Sequence, residues 1–370
     1  MMLENEPLAV PSAAETTRRS APAAAPAPEE ARAPGPGEPV LRDRFGRVFD
    51  YLRIAVTDRC NLRCIYCMPE EGIPFTPRDR SLRAEEILRI VRVAAGLGVK
   101  KIRLTGGEPT LHPEITQLVR GAARTPGIRS VHLTTNGLLL EGLAAPLRDA
   151  GLHGLNVSLD TLDRERFERY TRRDGLDRVR AGLRAALAAG FPALKVNVVA
   201  LRGFNEGELM RFPELTRTDP LTVRFIELMP FDAHQIWRSG HFLRAEEIVA
   251  QLRAAYPGLE PDSGSSTEHF VFRLRGYAGR VAVIPSYSRD MCAGCTRVRV
   301  TADGRIRNCL YSEEEYDLMG LLRNGGSDAD LARGMQRAMW EKLRDGREAQ
   351  ERALLLAPGH PRQSMTQIGG

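Results

Sequence analysis

The stretch YLRIAVTDRCNLRCIYCMP, residues 51–69, decides how this chain reads. It joins a β-type run, 51–56, to three cysteines, Cys60, Cys64 and Cys67, spaced C-x3-C-x2-C. Thiols placed just past a strand stand where α/β proteins gather their chemistry, at C-terminal strand ends. Outward from it, further β-type runs lie at 100–105, 129–134, 154–159, 194–200 and 222–228. Between them, stretches at 81–97, 113–123, 140–149, 176–189 and 205–216 repeat apolar residues at helical spacing. Several end at a glycine, Gly98, Gly151 or Gly190, as helix C-caps do. Six βα units in series predict a parallel sheet. Their order leaves open whether the sheet is flat or curls into a barrel.

The rhythm changes after about residue 240. A helix at 243–256 and Gly/Ser/Pro-rich 257–266 lead to β-type runs at 269–275 and 279–285. Then comes RVRVTADGRIRNCL (297–310), whose Asp303-Gly304 is a strong hairpin signal, and helical segments at 313–323 and 328–355. Residues 1–40 hold ten Ala and eight Pro without an apolar face, which predicts disorder. The expected organisation is a disordered extension at 1–41, a βα region at 42–239 and an α+β region at 240–370.

Composition narrows the class. The 370 residues are 42% hydrophobic and 27% charged, the proportions of a globular protein. No apolar run approaches a membrane span, and no basic segment followed by an apolar one suggests a secretory leader. Six cysteines are too few for a disulfide scaffold. The net charge of +6 includes −3 from residues 1–40, so the remainder carries +9. A basic body favours an anionic partner such as a nucleotide or nucleic acid.

All six cysteines fall into two triplets: Cys60, Cys64 and Cys67, then Cys292, Cys295 and Cys309. Such grouping points to metal. None of the seven His lies close in sequence to either triplet. Structural zinc wants four ligands, so each triplet would need a distant His or Asp. A 4Fe–4S cube on three thiolates instead keeps one open iron for a non-protein ligand. Spacing alone leaves both choices open. Thr105-Gly106-Gly107-Glu108-Pro109 follows the second strand directly. Its two glycines allow close backbone approach, and Glu108 can accept hydrogen bonds.

C-x3-C-x2-C with Tyr66 before the third cysteine, then Gly-Gly-Glu-Pro at a strand end, resembles the radical S-adenosylmethionine (SAM) enzymes. More narrowly, KKIRLTGGEP (100–109), LTTNG (133–137), NVSLD (156–160), VRFIELMP (223–230), CAGCTRVRVTADGRIRNCL (292–310) and the terminal MTQIGG (365–370) resemble the MoaA family of GTP 3′,8-cyclases. The chain departs from it at Thr110-Leu111-His112, at Met291 and at Ala55.

The resemblance implies a partial (βα)6 TIM-like barrel with a C-terminal α+β extension carrying a second Fe–S cluster. It implies SAM and two 4Fe–4S clusters as cofactors, the first on Cys60, Cys64 and Cys67, the second on Cys292, Cys295 and Cys309. Tyr66, Gly107, Ser158 and Met229 become the expected SAM contacts. Arg53, Arg103, Thr134, Lys195, Arg297 and Arg299 become the expected GTP ligands, supported by Lys101 and Arg224. Gly369 and Gly370 are expected to reach into the active site. The reaction implied is 5′-deoxyadenosyl radical abstraction of the GTP C3′ hydrogen and attack on guanine C8, the first step of molybdenum cofactor synthesis. The implied partners are an electron donor and the cyclic pyranopterin monophosphate synthase that takes the product. A homodimer is compatible with the resemblance. A cytoplasmic enzyme bound to neither nucleic acid nor membrane is expected. Against this stand two other readings: a peptide-modifying radical SAM enzyme and a zinc-stapled nucleic-acid-binding protein.

Overall fold

A strand with one face on an apolar core and the other on a polar cavity alternates aliphatic with polar residues, and that pattern recurs along the chain. The computed structural model describes residues 38–229, 240–264, 270–288, 291–355 and 364–368. In order these form β1 (Tyr51–Thr57), α1 (Ala84–Gly96), β2 (Lys101–Gly106), α2 (Ile115–Ala123), β3 (Ser130–Thr135), α3 (Leu140–Asp149) and β4 (Gly154–Ser158). Then follow α4 (Arg164–Thr171), α5 (Leu176–Ala188), β5 (Ala193–Ala200), β6 (Thr222–Glu227), α6 (Ala245–Ala255), β7 (Leu259–Pro261), β8 (Phe270–Leu274) and β9 (Arg280–Ile284). The last are β10 (Arg297–Val300), β11 (Arg305–Arg307), β12 (Tyr316–Asp317), α7 (Met319–Arg323), α8 (Asp328–Trp340) and α9 (Gly346–Leu355).

The strands make one twelve-stranded sheet, ordered β12-β11-β10-β1-β2-β3-β4-β5-β6-β9-β8-β7. β1 to β6 are parallel neighbours in chain order, the six-unit series expected of the partial barrel. The region after 240 extends that sheet at both edges. β9 joins β6 and β10 joins β1, both in parallel. β10 turns back as β11 at Gly304, whose φ of 71° suits glycine at this turn.

Alternation sorts the two faces. Leu52 and Ile54, Ile102 and Leu104, Val131 and Leu133, Leu155 and Val157, Val196 and Val198, Val223 and Phe225 point into the helix-covered core. The residues between them face a central cavity. α1 shows how a helix seals the outside. Glu86 accepts from the Arg83 N–H at 2.8 Å, Ile87, Ile90, Val91 and Ala94 are buried, and Gly98 ends the turn at φ 90°. Each such buried aliphatic side chain contributes about 1.5–3 kcal/mol. Gly151 and Gly190 likewise take positive φ after α3 and α5.

Several expectations need correction. Leu41, assigned to the extension, is buried against the core, because the bridge between Arg42 and Val48 folds it back. Residues 1–37 lie outside the described residues, as do 230–239. The stretch Glu206–Thr216 winds as a 3-10 helix with Pro213 inside it. Only Met319–Arg323 of the 313–323 segment is helical, since Tyr316–Asp317 pairs with β11. The helix expected at 328–355 breaks between Trp340 and Gly346. Helix α4 was not foreseen: its sequence RERFERYT is highly charged and buries only Phe167, Tyr170 and Thr171. Among the described residues no helix is long and apolar enough to cross a membrane.

Candidate active site

The inward residues enclose a cavity of about 610 Å3. All six cysteines line it, and so do Tyr66, Gly107, Ser158, Met229, Arg53, Arg103, Thr134, Lys195, Arg297, Arg299, Lys101 and Arg224. Every described site residue singled out in the sequence thus lines one cavity, on the strands or on the loops that follow them. Gly369 and Gly370 lie outside the described residues. The segment before them is placed: Met365 and Thr366 line the cavity.

Register explains the cation cluster. Lys101, Tyr51 and Arg297 stand side by side across β2, β1 and β10. One step further, Arg103, Arg53 and Arg299 form the next row, with His132 of β3 beside Arg103. Arg103, Arg224 and Arg299 are each more than nine-tenths buried. Burial and the neighbouring cations push the Arg299 guanidinium well below its ordinary pKa and hold the His132 ring neutral, down to about 2. Cations crowded this closely in a sheet are costly unless they are paired.

Three groups the sequence reading passed over, Tyr51, Asn156 and Asn197, temper this cluster. Arg103 Nε donates to the Tyr51 hydroxyl, and Arg103 Nη1 donates to Thr134 Oγ1 at 3.0 Å. Lys101 Nζ sits 4.8 Å from the Tyr51 ring centre. Burial alone would raise the Tyr51 phenol, but Arg103, Arg53 and Lys101 outweigh it and bring the group down to about 7. With its amide turned to oppose the cations, Asn156 Oδ1 accepts from Arg103 at 2.7 Å and Arg224 at 2.5 Å. Asn197 Oδ1 accepts from Arg224 Nε at 2.9 Å. Tyr51 and Asn156 lay inside motifs already quoted, and period-two alternation with Arg53 and Ser158 would have placed them on the same face.

The first cysteine loop is held from three sides. Gly107 N–H donates to Thr57 O and Glu108 N–H to Arg59 O, both at 2.7 Å. A Cβ on Gly107 would stand 2.2 Å from Arg59 O. The glycine pair therefore makes room for the backbone leading into the cysteines. Glu108 accepts from Thr135 Oγ1 and the Asn136 N–H, each at 2.7 Å, and from the Thr110 N–H at 3.0 Å. Thr110, one of the departures from the family pattern, is thereby accommodated. On the second side, Arg63 N–H and Ile65 N–H donate to Thr171 O and Tyr170 O at the end of α4. Arg172 turns left-handed there, φ 56°, and its Nη1 donates to Met68 O at 3.0 Å. On the third, Ser364 Oγ donates to Cys67 O at 2.8 Å. Burial, first of all, pushes the Cys60 thiol up to about 12 and Cys67 to about 11. Beside them Tyr66 Oη donates to Asp160 Oδ2 at 3.2 Å, and burial raises that carboxyl to about 7.

The second loop is supported by the break between α8 and α9. Gly346 N–H approaches Cys292 Sγ at 3.3 Å, and Arg47 Nη1 donates to Cys292 O at 2.9 Å. Arg47 also reaches Leu343 O and Arg344 O. Burial raises the Cys295 thiol, but Lys342 and Arg297 outweigh that and leave it lowered. All six thiols are free. Each triplet lines the cavity, where three thiolates on a 4Fe–4S cube would leave one iron open to a ligand from outside.

Cysteine loop, glycine clamp and partial barrel define a radical SAM protein, and residues 54–215 match the model of the Radical SAM superfamily. Residues 221–347 match the Molybdenum Cofactor Synthesis C model. The chain is 47% identical over 331 residues to a GTP 3′,8-cyclase of Chlorobaculum tepidum, spanning 90% of this chain and 97% of that one. It is 46% identical over 301 residues to the GTP 3′,8-cyclase of Moorella thermoacetica, spanning 81% and 93%. The mouse molybdenum cofactor biosynthesis protein 1 is 44% identical over 306 residues, 82% of this chain and 48% of that one. The fold is shared with native anSMEcpe with bound AdoMet, at TM-score 0.55 and 14% identity, covering 81% and 83%. The chain belongs to the GTP 3′,8-cyclase family.

Proposed function

We propose that the chain converts GTP to (8S)-3′,8-cyclo-7,8-dihydroguanosine 5′-triphosphate, the first step of molybdenum cofactor biosynthesis. The observation that carries this reading is the meeting of both thiol triplets with two registered rows of cationic side chains, Arg103 and Arg299 among them buried, around one cavity. Cys60, Cys64 and Cys67 would hold one 4Fe–4S cluster, and Cys292, Cys295 and Cys309 a second. With SAM, the first cluster supplies the 5′-deoxyadenosyl radical chemistry.

The chain's own residues bind, orient and seal. Tyr66, Gly107, Ser158 and Met229 form the SAM side of the wall. Arg53, Arg103, Thr134, Lys195, Arg297 and Arg299, with Lys101 and Arg224, meet the triphosphate, for which the forked guanidinium is suited. Tyr51 and Asn156 fix the Arg103 and Arg224 heads before the nucleotide arrives, lowering the ordering cost of binding. Met365 and Thr366 close the cavity beside Cys67. Gly369 and Gly370, later in sequence, would reach into the active site. A separate protein or reductant supplies electrons, the cyclic pyranopterin monophosphate synthase takes the product, and the work is cytoplasmic.

Anaerobic incubation of iron–sulfur-reconstituted protein with SAM, reductant and GTP deuterated at C3′ tests the reading. One deuterated 5′-deoxyadenosine should form per GTP consumed, with a product isomeric with GTP. Turnover of a peptide with GTP untouched would refute it.

A further inference from the structure

The break between α8 and α9 delivers a lysine to the second cysteine triplet. Lys342 is 4% exposed. Its Nζ donates to the carbonyl of Asn308, the residue preceding Cys309, and lies 5.8 Å from the centre of the Phe49 ring. It lines the cavity together with Cys292, Cys295 and Cys309. Among the described residues no carboxylate lies within ion-pair distance of it. A carbonyl and a ring face are dipolar partners only, and a buried ammonium without an anion is strongly disfavoured.

The surroundings show that the break serves this triplet. Asp345 Oδ1 accepts from the Arg347 and Glu348 N–H groups at 2.9 Å and starts α9 afresh. That restart places the Gly346 N–H on Cys292 Sγ. Arg47 ties Leu343 O to Cys292 O. Asn308 is itself fixed, its Nδ2 donating to Ala338 O at 2.9 Å. A neutral donor would satisfy the Asn308 carbonyl equally well. What a lysine adds is charge, and the thiolates are the anions beside it.

We propose that Lys342 is a positioning residue of the second cluster, whose buried positive charge stabilises the thiolate-bound centre on Cys292, Cys295 and Cys309 and raises its reduction potential. This rests on the reading of that triplet as a cluster site. A cation beside a cluster favours the electron-rich reduced state, so its removal makes reduction harder.

The test uses the full chain, reconstituted anaerobically, with iron counting and an EPR-monitored reductive titration. The second-site signal is the one absent from a chain carrying Cys292→Ala, Cys295→Ala and Cys309→Ala. Lys342→Gln keeps a donor for Asn308 without the charge, and Lys342→Arg keeps the charge. The expected result is a downward shift of the second-site midpoint in Lys342→Gln, or loss of that site's share of roughly eight irons, with the first-site signal unchanged and Lys342→Arg like wild type. An unchanged midpoint and iron content in Lys342→Gln would overturn the proposal. So would equal damage in both variants, which would make the role steric. Weakened GTP binding at an unchanged potential would assign the charge to the nucleotide instead, and also overturn it. Wild-type iron equal to that of the triple-alanine chain would remove the second cluster itself, a separate failure.

Discussion

Ser364 and Cys67 meet across 297 residues of chain, the serine hydroxyl donating to the cysteine carbonyl at 2.8 Å. The same hydroxyl accepts from the Thr366 N–H at 3.2 Å and so caps the short turn Met365–Gln367. Ser364→Ala removes both bonds. A lost cap and one lost hydrogen bond amount to about 1–2 kcal/mol of docking free energy. Hydrogen exchange at 364–368 should speed up by roughly tenfold, while iron content stays at the wild-type level.

Arg103 is the hub of the cation rows, bonded to Tyr51, Thr134 and Asn156. Arg103→Met keeps the stem and deletes the charge. Loss of a charge-assisted bond, roughly 1.5–3 kcal/mol, should weaken GTP binding by about 10–100-fold in calorimetry. Lysine should not restore it, since the fork that bridges three partners is gone. SAM binding, on the far side of the reading, should be untouched.

Tyr51 makes stability depend on pH. Its phenol falls from 10.0 to about 7 on folding, because Arg103, Arg53 and Lys101 overcome the burial that would raise it. A depressed acid stabilises the fold above its unfolded pKa and loses that contribution as pH falls through the folded value. The wild type should therefore gain stability relative to Tyr51→Phe between pH 7 and 10, by about 1 kcal/mol per pH unit. Urea unfolding of both proteins across that window measures it. A parallel pair of curves would contradict the assignment.

Gly107 tolerates no side chain, since a Cβ would stand 2.2 Å from Arg59 O. Gly107→Ala should cost roughly 3 kcal/mol through forced displacement of the loop backbone. Iron retention at Cys60, Cys64 and Cys67 should drop with it. Gly142→Ala in α3, where nothing lies within 4 Å of the new Cβ, should leave iron content unaltered and serves as the control.

Much of this was legible in the sequence because parallel strands carry their own period. Leu52, Ile54 and their counterparts alternate with Arg53 and its counterparts, so the strands were legible, while the role of the cations between them came from the family resemblance. The glycine clamp was visible for the same local reason. What escaped depends on distant partners. Nothing near β9 or β10 announces that they will pair with β6 and β1 and extend the same sheet. Helix α4 hides because only three of its residues are buried. The α8–α9 break did leave a sign, Asp345 three residues ahead of Glu348, whose N–H it caps, but continuous helical propensity on either side masked it. The role given to the glycine pair was also incomplete: it accommodates the cysteine loop's own backbone as well as facing the cavity.

The closing of the cavity by Ser364–Ile368 sets a timetable. Cys60, Cys64 and Cys67 leave the ribosome hundreds of residues ahead of the piece that covers Cys67. Until that late piece docks, the backbone carbonyl of Cys67 lacks the Ser364 hydroxyl that holds it, so the first cysteine loop reaches its final fixed form last.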